Sequence, residues 1–274
     1  MVWWIVGGAV VALVVLVGAA WAARAAWRVR VGHAVARERG QIIRGQEPTI
    51  LPRDDAAALA ETFRKEYLVR VEHFLDDASL ERLRKEVLDG LPRLKRGFVP
   101  THKQGGTLSY EMMHHHTPGC LALYHSEKML RWVSDVVGEP IRPAGDHDQS
   151  ACSILYYTQE GDYINWHYDP NFYYGRQFTV LIVLINKSEK GGLSSSDLVR
   201  RLPDGREETI PADVNTLILF EGVRWQHRVS PASAGDTRII LSMTLNTTRR
   251  ISLVRELARR VKDTAFYGLP VLWE

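Results

Sequence analysis

The sequence predicts a mainly β domain with flanking helices, preceded by one membrane-spanning helix at the N-terminus. Three observations predict it. Residues 2–23 form an uncharged, mostly apolar run. Capped segments with one apolar face, read as helices, follow in the first half of the remaining chain. From Ala151 onward, about eight short apolar or alternating runs are separated by turn residues, the spacing of strands in a closed or sandwiched core.

The N-terminal run reads VWWIVGGAVVALVVLVGAAWAA from Val2 to Ala23. At the rise of an α-helix its 22 residues cover about 33 Å, enough to cross a hydrocarbon core. Trp3, Trp4 and Trp21 fall near its ends, where indoles favour the headgroup zone. Ala20-Trp21-Ala22 loosely fits a signal-peptide cleavage pattern. However, no basic segment precedes the run and its length exceeds an ordinary h-region, so an uncleaved anchor is expected. Six arginines (Arg24, Arg28, Arg30, Arg37, Arg39, Arg44) against Glu38 follow, so this stretch is +5 in a chain of net charge +3, and residues 45–274 are −2. The positive-inside bias puts the remainder of the chain in the cytoplasm. The basic stretch reads equally as a solvated stalk or as a contact with anionic headgroups. Because the basicity is confined there, it gives no support to a nucleic-acid-binding surface.

Composition, at 45% hydrophobic and 24% charged residues, excludes a disordered, collagen-like or disulfide-stapled protein. Cys120 and Cys152 are too few for a disulfide framework or a zinc finger, and fit a reducing compartment. The expected organisation is an anchor at 1–23, a basic juxtamembrane stalk and linker at 24–52, and one domain at 53–274. That domain divides into a helical part at 53–150, a β core at 151–247, and a C-terminal helix and tail at 248–274.

Within the domain, Ala56–Phe63 reads as a helix and Tyr67–Val71 as a strand. Asp76 is an N-cap for a helix that puts Leu80, Leu83, Val87 and Leu88 on one face. A helix from Ser126 carries Met129, Leu130, Val133, Val136 and Val137, and stops at Gly138-Glu139-Pro140. The expected strands are Ser153–Tyr157, Tyr163–His167, Phe178–Ile185, Asp197–Arg201, Glu207–Ile210, Asn215–Phe220, His227–Val229 and Arg238–Leu245, with a last helix near Ser252–Lys262. Helices come first and the β core after. His114-His115-His116 is expected in a surface loop. Asp146-His147-Asp148 has no helical His and Asp partners to complete a metal-phosphohydrolase site, and reads as a polar loop. Trp166 and Trp225 flank the chemistry described next, and serve either core packing or a pocket wall.

Two segments carry that chemistry, GDYINWHYDP and RWQHRVSPASAGDTRIILS. His167 and Asp169 are two apart, so on an extended strand they project to the same side. His227 lies 58 residues beyond Asp169 on another expected strand. Two imidazoles and one carboxylate on the inner face of a β core form the facial triad that holds ferrous iron with open positions. Arg238 opens the last strand, where a cation could anchor the far carboxylate of an acidic co-substrate that chelates the metal. The HxD pair alone is a weak signal, and His125-Ser126-Glu127 is a comparable pair at a helix start. The signal lies in the complete set.

With these residues in place, the chain resembles the iron(II)- and 2-oxoglutarate-dependent dioxygenases, in particular their prolyl-4-hydroxylase-like branch. The likeness covers Ser153 to Thr247, with a looser match at Val69–Leu88. Tyr157, Gly161 and Tyr163 resemble the family's lead-in to the HxD, and Arg176-Gln177-Phe178-Thr179-Val180-Leu181 resembles its R-x-x-T-x-L strand. Gly191-Gly192-Leu193 matches a common Gly-Gly turn, and Phe220 lies seven residues before His227. His227-Arg228-Val229-Ser230-Pro231 resembles its H-x-V-x-P segment. The resemblance implies a jelly-roll (double-stranded β-helix) core, with iron(II) held by His167, Asp169 and His227. It implies 2-oxoglutarate paired with Arg238, and hydrogen-bonded by Ser242, Tyr157 and Thr179. Ascorbate is a candidate reductant. The implied reaction is hydroxylation of a small-molecule, lipid or protein substrate by dioxygen, with 2-oxoglutarate decarboxylated to succinate. Related halogenases lack the carboxylate so that halide can bind iron, so Asp169 favours oxygen insertion. Three departures argue against peptidyl-proline specificity: the four-residue step from Tyr163 to His167, Val183 in place of a tyrosine, and the Leu193-Ser194-Ser195-Ser196 turn. Two other readings stand beside the enzyme. One is a catalytically idle jelly roll tethered as a sensor or scaffold. The other is a cupin-type metalloenzyme, which leaves Arg238 and Ser242 without a role.

Overall fold

The computed structural model describes residues 19, 23, 30, 33–51, 55–145 and 148–267. The chain divides into two compact units, Met1–Ile42 and Ile43–Glu274. In the first, residues 33–42 are helical. Apart from Ala19 and Ala23, the expected anchor lies outside the described residues, as do Asp146 and His147. Among the described residues no helix is long and apolar enough to cross a membrane.

The second unit begins with α1 (Ala56–Glu66) and β1 (Leu68–Val71). Helix α2 (Asp77–Asp89) starts where the Asp76 carboxylate accepts from the Ser79 backbone N–H at 2.8 Å, the cap expected from the sequence. A hairpin of β2 (Lys95–Val99) and β3 (Lys103–Leu108) follows. Next come α3 (Tyr110–His116), α4 (Pro118–His125) and α5 (Glu127–Val137), the last capped by Ser126. Then come β4 (Arg142–Pro143), β5 (Cys152–Tyr157), β6 (Tyr163–His167), β7 (Gln177–Ser188) and β8 (Leu198–Arg201). The core ends with β9 (Glu207–Ile210), β10 (Leu217–Phe220), β11 (His227–Val229), β12 (Asp236–Asn246) and the closing helix α6 (Leu253–Tyr267).

The strands form one antiparallel, curled sheet in the order β1-β10-β7-β12-β5-β3-β6-β11-β8-β9, with β2 on β3 and β4 on β12. Strand β3 turns the corner between its two faces. Gly106–Leu108 pair with β5, while Lys103 and Gln104 pair with β6. This is a mainly β, jelly-roll-like core with flanking helices.

The order "helices first, β core after" is corrected by β2 and β3, which lie inside the helical part. Their sequences, KRGFV and KQGGTL, hide the strand because glycines replace the alternating apolar side chains. A Cβ on Gly106 would lie 2.9 Å from Leu94 Cδ1 and 3.2 Å from Tyr156 Cβ, so a side chain there would push on Leu94 and Tyr156. The expected loop at His114-His115-His116 is the last turn of α3. Helix α4 is buried continuously from Gly119 to Tyr124, which erases the one-sided pattern that marks a surface helix.

Alternation along the central strands separates two apolar layers. Phe178, Val180, Ile182 and Leu184 of β7, with Ile239, Leu241, Met243 and Leu245 of β12, belong to the layer beneath the helices. The opposite parity, with Tyr157, Leu181, Val183, Ile218, Phe220 and Ile240, lines the inside of the roll. Arg238 and Ser242 share that second parity on β12, and Thr179 shares it on β7. Strand order therefore aims all three inward.

Asn215 ties β10 to the turn before α2. Its amide accepts from the Leu75 N–H at 2.9 Å and donates to the Leu75 carbonyl at 2.8 Å, with a backbone φ of 66°. Asn215→Ala loses both bonds and puts a Cβ-branch-free but chiral residue in the left-handed region. It should cost about 2–4 kcal/mol in a denaturant titration.

Candidate metal centre and its two cavities

His227 on β11 stands directly opposite His167 on β6 in the antiparallel register. Their ring centroids are 4.1 Å apart. Asp169, just past the end of β6, is turned back by its own N–H, which donates to the Gly222 carbonyl at 3.0 Å. Its Oδ1 lies 3.6 Å from His167 Nε2 and 3.4 Å from His227 Nε2. One ligand atom from each residue falls within 4.8 Å of the others, the grouping a single metal ion needs.

The surroundings orient these atoms. His167 Nδ1 meets the Asn165 carbonyl at 2.7 Å, and His227 Nδ1 faces the Trp225 carbonyl at 3.5 Å. A carbonyl can only accept, so these contacts place the ring protons on Nδ1 and leave the Nε2 lone pairs pointing at the centre. The Thr179 hydroxyl donates to Asp169 Oδ2 at 2.6 Å, leaving Oδ1 toward the histidines. Burial pushes the Asp169 carboxyl upward, but His227 and His167 outweigh it and hold the group well below the usual carboxylate range. Gly222 was not singled out from the sequence. A Cβ there would sit 2.1 Å from Asp169 Oδ2, so only glycine leaves room for the carboxylate. Trp225 is buried and packs on Phe220 and His227. Trp166 points the other way, stacked under Arg201 and Arg228.

The triad stands at the junction of two cavities that share Leu155, Ile164, His167, Asp169, Thr179 and Ser242. The deep one, about 110 Å³, ends at Arg238 and Tyr157, which face each other across β12 and β5. Arg238 is 1% exposed, yet its Nε and Nη2 have no hydrogen-bond partner, and neither does the Tyr157 hydroxyl. Burial drags the guanidinium's pKa down, partly offset by Tyr157 and Asp197. Burial also pushes the Tyr157 phenol up to about 12, so it is a neutral donor. Unsatisfied buried donors are costly, and donors converging on one cleft fit an absent carboxylate.

The outer cavity, about 310 Å³, is walled by β3 and α6. His102 packs edge-on between His167 and Phe266. Lys103, which sequence reasoning missed, is 7% exposed and donates to Thr107 Oγ1 at 3.1 Å. Burial, and then Lys262, lower its pKa to about 8.

The family model described as Halogenase D matches residues 51–266. The chain belongs to the Halogenase D family. Among solved structures it is similar to a prolyl-4-hydroxylase from Pseudomonas putida, at 16% identity and a TM-score of 0.53, covering 72% of this chain and 100% of that one. It is also similar to an oxidoreductase of the 2OG-Fe(II) oxygenase family from Burkholderia pseudomallei, at 17% identity and a TM-score of 0.57, covering 76% and 99%. The non-heme alpha-ketoglutarate-dependent epimerase SnoN from nogalamycin biosynthesis matches at 13% identity and a TM-score of 0.58, covering 70% and 80%. No curated protein matches by sequence. The fold of this Halogenase D member is thus that of the 2-oxoglutarate and iron(II) oxygenases, as the resemblance implied.

Two outcomes follow from the site. Gly222→Ala displaces the Asp169 carboxylate and should lower cobalt(II) affinity at least roughly tenfold in a competition titration. Lys103→Met removes an unpaired buried charge and should stabilise the protein by about 1–3 kcal/mol at pH 7. Because the folded pKa lies below the ordinary 10.5, the folded state sheds this proton first. The penalty is therefore full below pH 8 and shrinks between 8 and 10.5, so the gain from Lys103→Met narrows across that window.

Proposed function

We propose that this chain is a membrane-tethered, iron(II)- and 2-oxoglutarate-dependent hydroxylase. The observation that carries the reading is the pairing of a three-residue metal grouping with a deep cleft whose buried Arg238 and Tyr157 donors lack partners. An idle scaffold has no use for an uncompensated guanidinium beside a metal site. A cupin-type enzyme without a dicarboxylic co-substrate leaves it unexplained.

The reaction converts a substrate C–H, dioxygen and 2-oxoglutarate into C–OH, succinate and carbon dioxide. Bound iron(II), held by His167, Asp169 and His227, would supply the activation of dioxygen that this chemistry requires. Arg238 pairs with the distal carboxylate of 2-oxoglutarate, assisted by the Tyr157 hydroxyl. Ser242 lines the cleft between Arg238 and the triad. Thr179 acts through Asp169 by holding its second oxygen, and it lines the same cleft. Leu181, Phe220, Val229 and Ile240 keep the deep cavity apolar and exclude water.

The family name raises halogenation as the competing outcome. Bound iron would be held through three side chains, His167, Asp169 and His227, and Asp169 would take the place a halide needs, so oxygen insertion is the better reading. The apolar run at 2–23 and the arginines that follow support a single-pass anchor with the oxygenase in the cytoplasm.

Full-length protein supplied with ferrous iron, ascorbate and 2-oxoglutarate should form succinate above a metal-free control. Arg238→Met should raise the KM for 2-oxoglutarate at least about 30-fold, since it removes a charge-assisted pair. Asp169→Ala should abolish turnover. Absence of succinate, or a chlorinated product in chloride buffer, would overturn the hydroxylase reading.

A further inference from the structure

The outer cavity contains a cation that the reaction described above does not use. Lys103 sits on β3 beside His102, whose ring packs against the metal-ligating His167. Its ammonium is almost completely buried, over the Phe266 ring at 5.3 Å from the centroid, and Thr107 Oγ1 accepts its hydrogen bond at 3.1 Å. Among the described residues no carboxylate forms an ion pair with it. The charge that acts on it is Lys262 of α6, which carries the same sign.

Lys262 lines the same cavity from α6. Its Nζ donates to Ser150 Oγ, lies 3.1 Å from Asp263 Oδ1, and stands over the Phe172 ring. The acids nearby are already engaged. Asp148 accepts from the Ser150 N–H and hydroxyl and from the Tyr173 hydroxyl, and lies 3.8 Å from Arg259 Nη1. Asp263 is held by Arg259 at 2.6 Å. Neither is left to neutralise Lys103.

Two ammonium groups from separate elements thus converge on a cavity whose far side is His167 and Asp169. Burying an unpaired cation is destabilising unless a ligand completes it. The surrounding Phe172, Phe266 and Tyr168 supply apolar contact for the rest of a small molecule. We infer that the outer cavity binds the substrate to be oxidised through an anionic group, a carboxylate or a phosphate monoester, seated between Lys103 and Lys262. This rests on the oxygenase reading and extends it to the substrate's chemical class. The anion fixes one end of the molecule, and its remaining carbon skeleton extends toward the triad.

The test uses full-length protein in detergent, loaded with manganese(II) and saturating 2-oxoglutarate under argon, so that the Arg238 cleft is filled. Lys103 is acetylated with acetic anhydride, and its rate is followed by peptide mass spectrometry with phenyl phosphate, benzoate or benzamide present. One or both acids should slow acetylation of Lys103 at least fivefold and benzamide less than twofold, and the better acid identifies phosphate or carboxylate as the preferred anion. In Lys262→Gln the protection by that acid should fall below twofold. Equal protection by benzamide, no protection by either acid, or undiminished protection in Lys262→Gln overturns the inference. Binding of radiolabelled 2-oxoglutarate is read in the same samples. If it fails, the oxygenase reading falls and this inference with it; if it succeeds without protection by acids, only this inference falls.

Discussion

The site depends on one backbone register, the antiparallel pairing that sets His227 of β11 opposite His167 of β6. Side chains on a strand alternate faces, so a slip of one residue would turn an imidazole to the outside of the roll. The same register brings Asp169 to the rim, where Gly222 leaves space for its carboxylate and Thr179 takes its second oxygen. Three ligand atoms are thereby held together by backbone hydrogen bonds and one missing methyl group. The histidine protons are committed to backbone carbonyls, so little reorganisation is needed to receive an ion.

Around this register, among the described residues, Arg238 and Lys103 are buried cations without a carboxylate ion pair. Arg238 lies at the bottom of the roll with free donors, and Lys103 lies buried in the outer wall without a carboxylate. Buried Asp162 and Arg259 do have partners of opposite charge. Asp162 is fully buried but accepts from Arg96 and from the Thr158 and Gln159 N–H groups. Arg259 is embraced by Glu256 and Asp263. The contrast is physical: completed networks hold the frame, and Arg238 and Lys103 are where the proposed ligands would complete the pairing.

Membership of the Halogenase D family and possession of a full His-Asp-His grouping pull toward different products. The difference lies at one coordination position. In the proposed oxygenase Asp169, anchored on its far oxygen by Thr179, would commit that position to the protein. Family membership describes the scaffold, while the ligand set describes which chemistry the scaffold can host.

Much of this was legible in the linear sequence. Asp76 and Ser126 marked helix starts, and Tyr163–His167, Glu207–Ile210 and His227–Val229 read as strands with the bounds they have. Capping and strand alternation are local, carried by residues a few positions apart. The His167–Asp169 pair, its parity and the distant His227 and Arg238 were legible for the same reason. Strand β3 was not, because its glycines carry no alternation, and α4 was not, because burial on all sides leaves no polar face. Gly222 and the convergence of Lys103 with Lys262 belong to tertiary structure alone. They meet across the curl of the sheet and the docking of α6, and no local periodicity records which distant side chains a non-local register brings face to face.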